Sequence, residues 1–112
     1  MQLSFFDHAM RYQGGKKSMK FLSEMKELIP FESIEKLLIE KNIYKVTKGK
    51  PGRPLPSKIL VGALFLQNWY GLSDPMTEEL IHDRISFRKF LDIKDEDTIP
   101  DETTICKFRL AL

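Results

Sequence analysis

GRPLPSKILVGALFLQNWYGLSDPMTEELIHDRISFRKFL, residues 52–91, decides the fold. Nine of the twelve residues 59–70 are apolar: Ile59, Leu60, Val61, Ala63, Leu64, Phe65, Leu66, Trp69 and Tyr70. A helix that is apolar on nearly every side must be covered by other helices. At twelve residues it is far short of the roughly twenty needed to span a bilayer. The spacing therefore predicts a central core helix over residues 59–70, with Trp69 in the core. Pro54 and Pro56 keep the preceding chain extended, and Ser57 is the expected N-cap. Gly71 stands where a left-handed glycine closes a helix. Ser73 or Asp74 can cap the next helix, residues 75–84, which opens with Pro75 and carries Glu78 and Glu79 early. Residues 71–73 thus form a tight helix–turn–helix corner. Ser86 is the expected cap of a third short helix bearing Phe87, Phe90 and Leu91.

Outward from this centre the chain continues as helices. Ser18 is the expected cap of a helix over residues 19–29, with Phe21, Leu22, Met25, Leu28 and Ile29 on one face and Pro30 ending it. Residues 31–41 repeat the pattern with Ile34, Leu37 and Leu38 inward, and both stripes are expected to cover the central helix. Residues 42–57 are the longest irregular stretch, with a short strand possible over residues 43–47. After an acidic loop at residues 92–97, Asp101 caps a last helix with Ile105 and Phe108 on one face. The expected fold is all-α: five or six short helices around residues 59–70, preceded by an N-terminal arm at residues 1–17. Because the chain stops at Leu112 inside a helix, a fragment or truncated gene is expected.

Composition supports one globular domain, 42% hydrophobic and 30% charged. The single cysteine, Cys106, excludes an internal disulfide and suits a reducing cytoplasm. No apolar signal segment opens the sequence. Net charge is +2 but uneven. Residues 1–60 carry 12 Lys/Arg and 6 Asp/Glu, hence +6; residues 61–112 carry 6 and 10, hence −4. A basic half suggests a face for polyanions; two solvated faces explain the same counts.

Catalytic chemistry is poorly represented. Asp95, Glu96, Asp97, Asp101 and Glu102 lack the alternate ligands, central glycine and distal glutamate of a calcium loop. His8 and His82 are far apart, and Cys106 has no His or Cys at ligand spacing. No phosphate-cradling glycine loop of the P-loop kind occurs. No catalytic, cofactor or metal residue is assigned, and no cofactor is expected.

The run Gly52-Arg53-Pro54, Leu66-Gln67, Tyr70-Gly71-Leu72-Ser73-Asp74, Glu78-Glu79, Phe87-Arg88, Phe90-Leu91, Pro100-Asp101, Thr103-Thr104 and Phe108-Arg109 resembles the N-terminal helical domain of bacterial insertion-sequence transposases, the DDE-type enzymes with an RNase-H-like catalytic domain. The resemblance covers residues 52–109 and implies such a domain over residues 18–112. It implies DNA as a partner through the terminal inverted repeats, a possible homodimer, and docking on the chain's own catalytic domain. The family's metal-holding carboxylates, which would bind magnesium or manganese, lie downstream of the matched region, so the chain is expected to be inactive alone. No membrane partner is implied, and a cytoplasmic location is expected.

Within that expectation, the second helix of the corner is a poor major-groove reader. It carries Asp74, Glu78, Glu79 and Asp83 against Arg84 alone, whereas affinity for DNA comes mainly from neutralising phosphates. The better candidates are Lys45, Lys48, Lys50, Arg53 and Lys58, a run without a single acid. Its Gly-Arg-Pro core resembles arms that enter narrow A·T-rich minor grooves, though Pro51 stands where such arms carry arginine. A proline-stiffened linker is the competing reading. Arg88, Lys89, Lys107 and Arg109 rank second, and for Phe87, Phe90 and Phe108 a core position outweighs base stacking. Three rivals remain: a protein-docking module using the acidic face of residues 74–97, a free-standing helix–turn–helix regulator and, last, an intact enzyme with an unusual site.

Overall fold

A computed structural model describes residues 16–44, 56–94 and 98–112. Among them the chain forms six helices and no strand: α1 Lys16–Leu28, α2 Phe31–Glu40, α3 Ser57–Tyr70, α4 Asp74–Asp83, α5 Ile85–Leu91 and α6 Glu102–Ala111. The expected all-α class is observed. The strand over residues 43–47 is not found at residues 43–44, and its remainder lies outside the described residues, as do the arm's residues 1–15.

The apolar helix is central, as its composition requires. α3 packs against α2, α4, α5 and α6. Ala63 and Leu66 are completely buried, joined by Ile81 of α4 and Phe87 of α5. A second cluster, Leu38, Leu60, Val61 and Phe108, ties α2 and α6 to the other side of α3. Burying side chains of this kind stabilises by about 1.5–3 kcal/mol each before entropy is subtracted. Phe87, Phe90 and Phe108 are all core residues.

α1 departs from expectation. Its backbone lies against α5 rather than α3. It reaches α3 through side chains, among them the Phe21 ring edge-on to Trp69 at 5.1 Å and the Ser18 hydroxyl, 2.5 Å from the Tyr70 hydroxyl. Close approach of α5 to α3 is what Gly62 allows. A methyl group there would run into the Leu91 Cδ2 atom and touch the Phe90 ring.

Helix ends follow the sequence at three places and depart from it at three. Gly71 closes α3 at φ 63°, ψ 47°. Ser73 caps α4 by accepting from the Met76 amide, and Asp101 caps α6 by accepting from the Thr104 amide. Ser18, Ser57 and Ser86, however, are not caps. Each lies inside the first turn of its helix, and the residues at the boundaries make no side-chain cap at α3 or α5. Ser18 and Ser57 are buried. A buried hydroxyl without a partner is costly, and here Tyr70 and Glu35 supply the partners. α5 needs no separate start signal because Arg84 ends α4 and begins α5 at once. Trp69 also differs: it is only partly buried, at the rim of the core against Phe21, Phe65 and Phe90.

Candidate nucleic-acid interface

Lys45, Lys48, Lys50 and Arg53 lie outside the described residues; Lys58, the last of the run, lies within them. The stems on either side of residues 45–55 meet at one place. Ser57 Oγ donates to the Glu35 carboxylate of α2. The Tyr44 hydroxyl, its pKa raised by burial and by Glu35, is hydrogen-bonded to the Ser57 backbone. Ile43 and Tyr44 pack on the Leu38–Phe108 cluster. The basic segment therefore leaves and re-enters the domain at a closed base between α2 and the start of α3.

Lys58 is bound to the domain. Its ammonium ion-pairs with Asp92 and lies 5.3 Å from the centre of the Phe31 ring. Lys26 of α1 ion-pairs with the other Asp92 oxygen and donates to the Lys89 carbonyl at 3.1 Å. Asp92 itself closes α5 in the left-handed region, φ 56°. One aspartate thus joins α1, α3 and the end of α5. Burial pushes its carboxyl up, but the two lysines prevail and hold it below the usual range.

The acids of α4 are likewise occupied within the molecule. Arg109 of α6 donates from both terminal nitrogens to the two Asp74 oxygens, Nη2 at 2.9 Å. Gln67 of α3 donates to Asp74 at 2.6 Å and accepts from Arg109 at 3.3 Å. The hydrogen bonds from Arg109 and then from Gln67 lower the Asp74 carboxyl to about 2. Glu78 accepts from the Glu102 amide at 2.7 Å, a carboxylate at the amino end of α6. Asp74, Glu78 and Asp92 therefore serve internal bonds, and the acidic face of residues 74–97 is smaller than its sequence suggests. Glu79, His82 and Asp83 remain exposed on α4, an unfavourable surface for phosphates.

The second-rank cations separate by place. Arg109 belongs to the Asp74 clamp, Lys107 is exposed on α6, and Arg88 and Lys89 face α1 across a cleft. Among the described residues no three His, Cys, Asp or Glu side chains come together to hold a metal ion, and no helix is long and apolar enough to cross a membrane. Sequence reasoning missed Asp92 and the Asp74–Arg109 pair. Partners 34, 66 and 35 positions apart leave no local spacing signal.

A protein-family model described as Transposase domain (DUF772) matches residues 10–110. No solved structure matches the chain.

Proposed function

We propose a function on one premise: this chain belongs to the Transposase domain (DUF772) family. Its setting is therefore DNA transposition. Within that setting it is the DNA-contacting and assembly domain of a DDE-type insertion-sequence transposase, and it recognises the terminal inverted repeats. Lys45, Lys48, Lys50 and Arg53 carry the contact. Lys58, held by Asp92 and Phe31, fixes the segment's C-terminal stem.

The observation that supports this reading is the closed base of the basic segment. An acid-free run is tethered at both ends to α2 and α3 through Glu35, Tyr44 and Ser57. Tethering limits the entropy lost when the segment is ordered on a duplex. Arginine entering a narrow A·T-rich minor groove meets concentrated negative potential. Three of the acids that would oppose DNA, Asp74, Glu78 and Asp92, are engaged within the domain.

Fluorescence anisotropy with a labelled A·T-rich duplex tests the reading. Binding should weaken steeply with salt, by about 0.9 log unit per log salt for each phosphate neutralised. Arg53→Ala should reduce the preference for A·T-rich over G·C-rich duplexes. No binding at low salt would sink the DNA reading and leave a protein-docking domain.

A further inference from the structure

We infer that the cleft between α1 and α5 seats the phosphodiester backbone of DNA, as a second contact in addition to the basic segment. This rests on the reading that the chain meets DNA.

The cleft has a volume of about 870 Å³, within the range of roughly 300–1,000 Å³ typical of pockets that take small organic ligands. Five cations line it, Lys20, Lys26, Arg88, Lys89 and Lys94, against one acid, Asp92. Lys26 is paired with Asp92 and Lys94 has a partner of its own, which leaves Lys20, Arg88 and Lys89 to meet a ligand. Asp92 does not cancel the rest, because Lys26 and Lys58 already share its two oxygens. Glu24 and Glu27 of α1 are not among the lining residues. The field inside the cleft is therefore cationic, and a concave wall concentrates it.

Arg88 borders the cleft, and its guanidinium suits an oxyanion. Its Nε is buried and donates to no group among the described residues. A buried guanidinium nitrogen without an acceptor costs roughly 1–3 kcal/mol or more. Such a group calls for a partner, which an ordered water or an ion supplies in many native proteins. The planar fork of arginine matches two oxygens of a phosphate. Lys20 and Lys89 are exposed on opposite walls and suit the less directional contacts that neutralise neighbouring phosphates. Asp92 closes the arrangement structurally: it borders the cleft and also holds Lys58, where the basic segment re-enters the domain. The cleft and the base of that segment are thus joined through one side chain.

The salt dependence of duplex binding separates the possibilities. Wild type, the double variant Lys20→Gln/Lys89→Gln and Arg88→Gln are titrated with A·T-rich and G·C-rich duplexes between about 50 and 200 mM salt. The double variant should flatten the plot of log Kd against log salt by about 0.9 per cation removed, equally for both duplexes. Arg88→Gln should weaken both at least fivefold. Should Arg88→Gln fail to fold, the double variant, which alters exposed side chains only, decides the matter. Wild-type slope and affinity in the double variant, with Arg53→Ala still impairing binding, would overturn the cleft and leave the DNA reading intact. Absence of wild-type binding to any duplex would overturn both.

Discussion

Arg109 holds Asp74 with both ends of its guanidinium fork, and so fastens the last helix onto the first residue of α4. Gln67, 9% exposed, reaches both partners from the central helix. Three helices are given a fixed register here, and the hydrogen bond from the Glu102 amide to Glu78 adds to it between α4 and α6. The corner between α3 and α4 therefore rests on more than its glycine and serine. Its geometry depends on a residue 35 positions away.

This clamp makes stability pH-dependent in a definite direction. The folded-state Asp74 carboxyl lies at about 2, below the roughly 3.9 of an unstructured aspartate. The unfolded chain thus takes up the proton first. The contribution is complete above about pH 4 and is lost as pH falls towards about 2. Because the Arg109 side chain is 44% exposed, screening reduces it to on the order of 1 kcal/mol. Urea unfolding of wild type and Asp74→Asn at a series of pH values should show the gap between them closing across that window. A gap unchanged from pH 6 to below pH 2 would rule the clamp out as its source.

Gly62→Ala should destabilise the domain despite the better helix propensity of alanine. Propensity favours the change by about 1 kcal/mol, whereas the added methyl meets buried Leu91, and overpacking of this kind costs about 1–3 kcal/mol. A net loss of up to about 2 kcal/mol is expected. In a double-mutant cycle, Leu91→Ala should recover part of the Gly62→Ala loss, because it removes the atoms in the way. Strict additivity would mean that Gly62 does not accommodate Leu91.

Trp69→Ala should cost about 2–3 kcal/mol, below the roughly 3–5 kcal/mol of a fully buried aromatic. Three rings contact Trp69 at 5.1–5.6 Å, but the residue is only partly buried. Tryptophan emission should accordingly be intermediate in wild type and shift red in Phe21→Ala, which opens the α1 side. A fully blue-shifted spectrum, or a loss above 4 kcal/mol in chemical unfolding, would place Trp69 deeper than the rim.

Local patterns made the fold legible. Residues 59–70 announce a covered helix by being apolar all round, and Gly71, Ser73 and Asp101 announce their ends through backbone chemistry that is local. Ser18 and Ser57 misled because a serine near a helix start satisfies the capping pattern whether its hydroxyl meets its own backbone or a distant side chain. Only burial distinguishes the two, and burial is set by how helices meet. The same reasoning explains the site. Lys58 is legible as a cation, but its union with Asp92, Lys26 and Phe31 depends on α1, α2 and α5 converging. Asp74 is legible as a helix-start acid, while its function as the Arg109 partner depends on the path of α6.

Asp92 offers the sharpest separation of backbone from charge. It occupies φ 56°, a region that costs a residue with a β-carbon about 1–2 kcal/mol, asparagine and aspartate somewhat less, and glycine nothing. It also carries two ion pairs, each worth about 0–1 kcal/mol at an exposed site. Asp92→Gly removes the charge and relieves the backbone, Asp92→Asn removes the charge and keeps a tolerant residue, and Asp92→Ala removes the charge and keeps the strain. Melting temperatures at low salt should therefore fall furthest for Asp92→Ala, with Asp92→Gly and Asp92→Asn between it and wild type. Raising salt to about 1 M should draw wild type and Asp92→Asn together, since a Debye length near 3 Å screens the pairs. It should leave the distance between Asp92→Gly and Asp92→Ala unchanged, because backbone strain is indifferent to ionic strength. If alanine and glycine melted together, the left-handed turn would not govern this helix end, and the hold of Asp92 on Lys26 and Lys58 would have to come from charge alone.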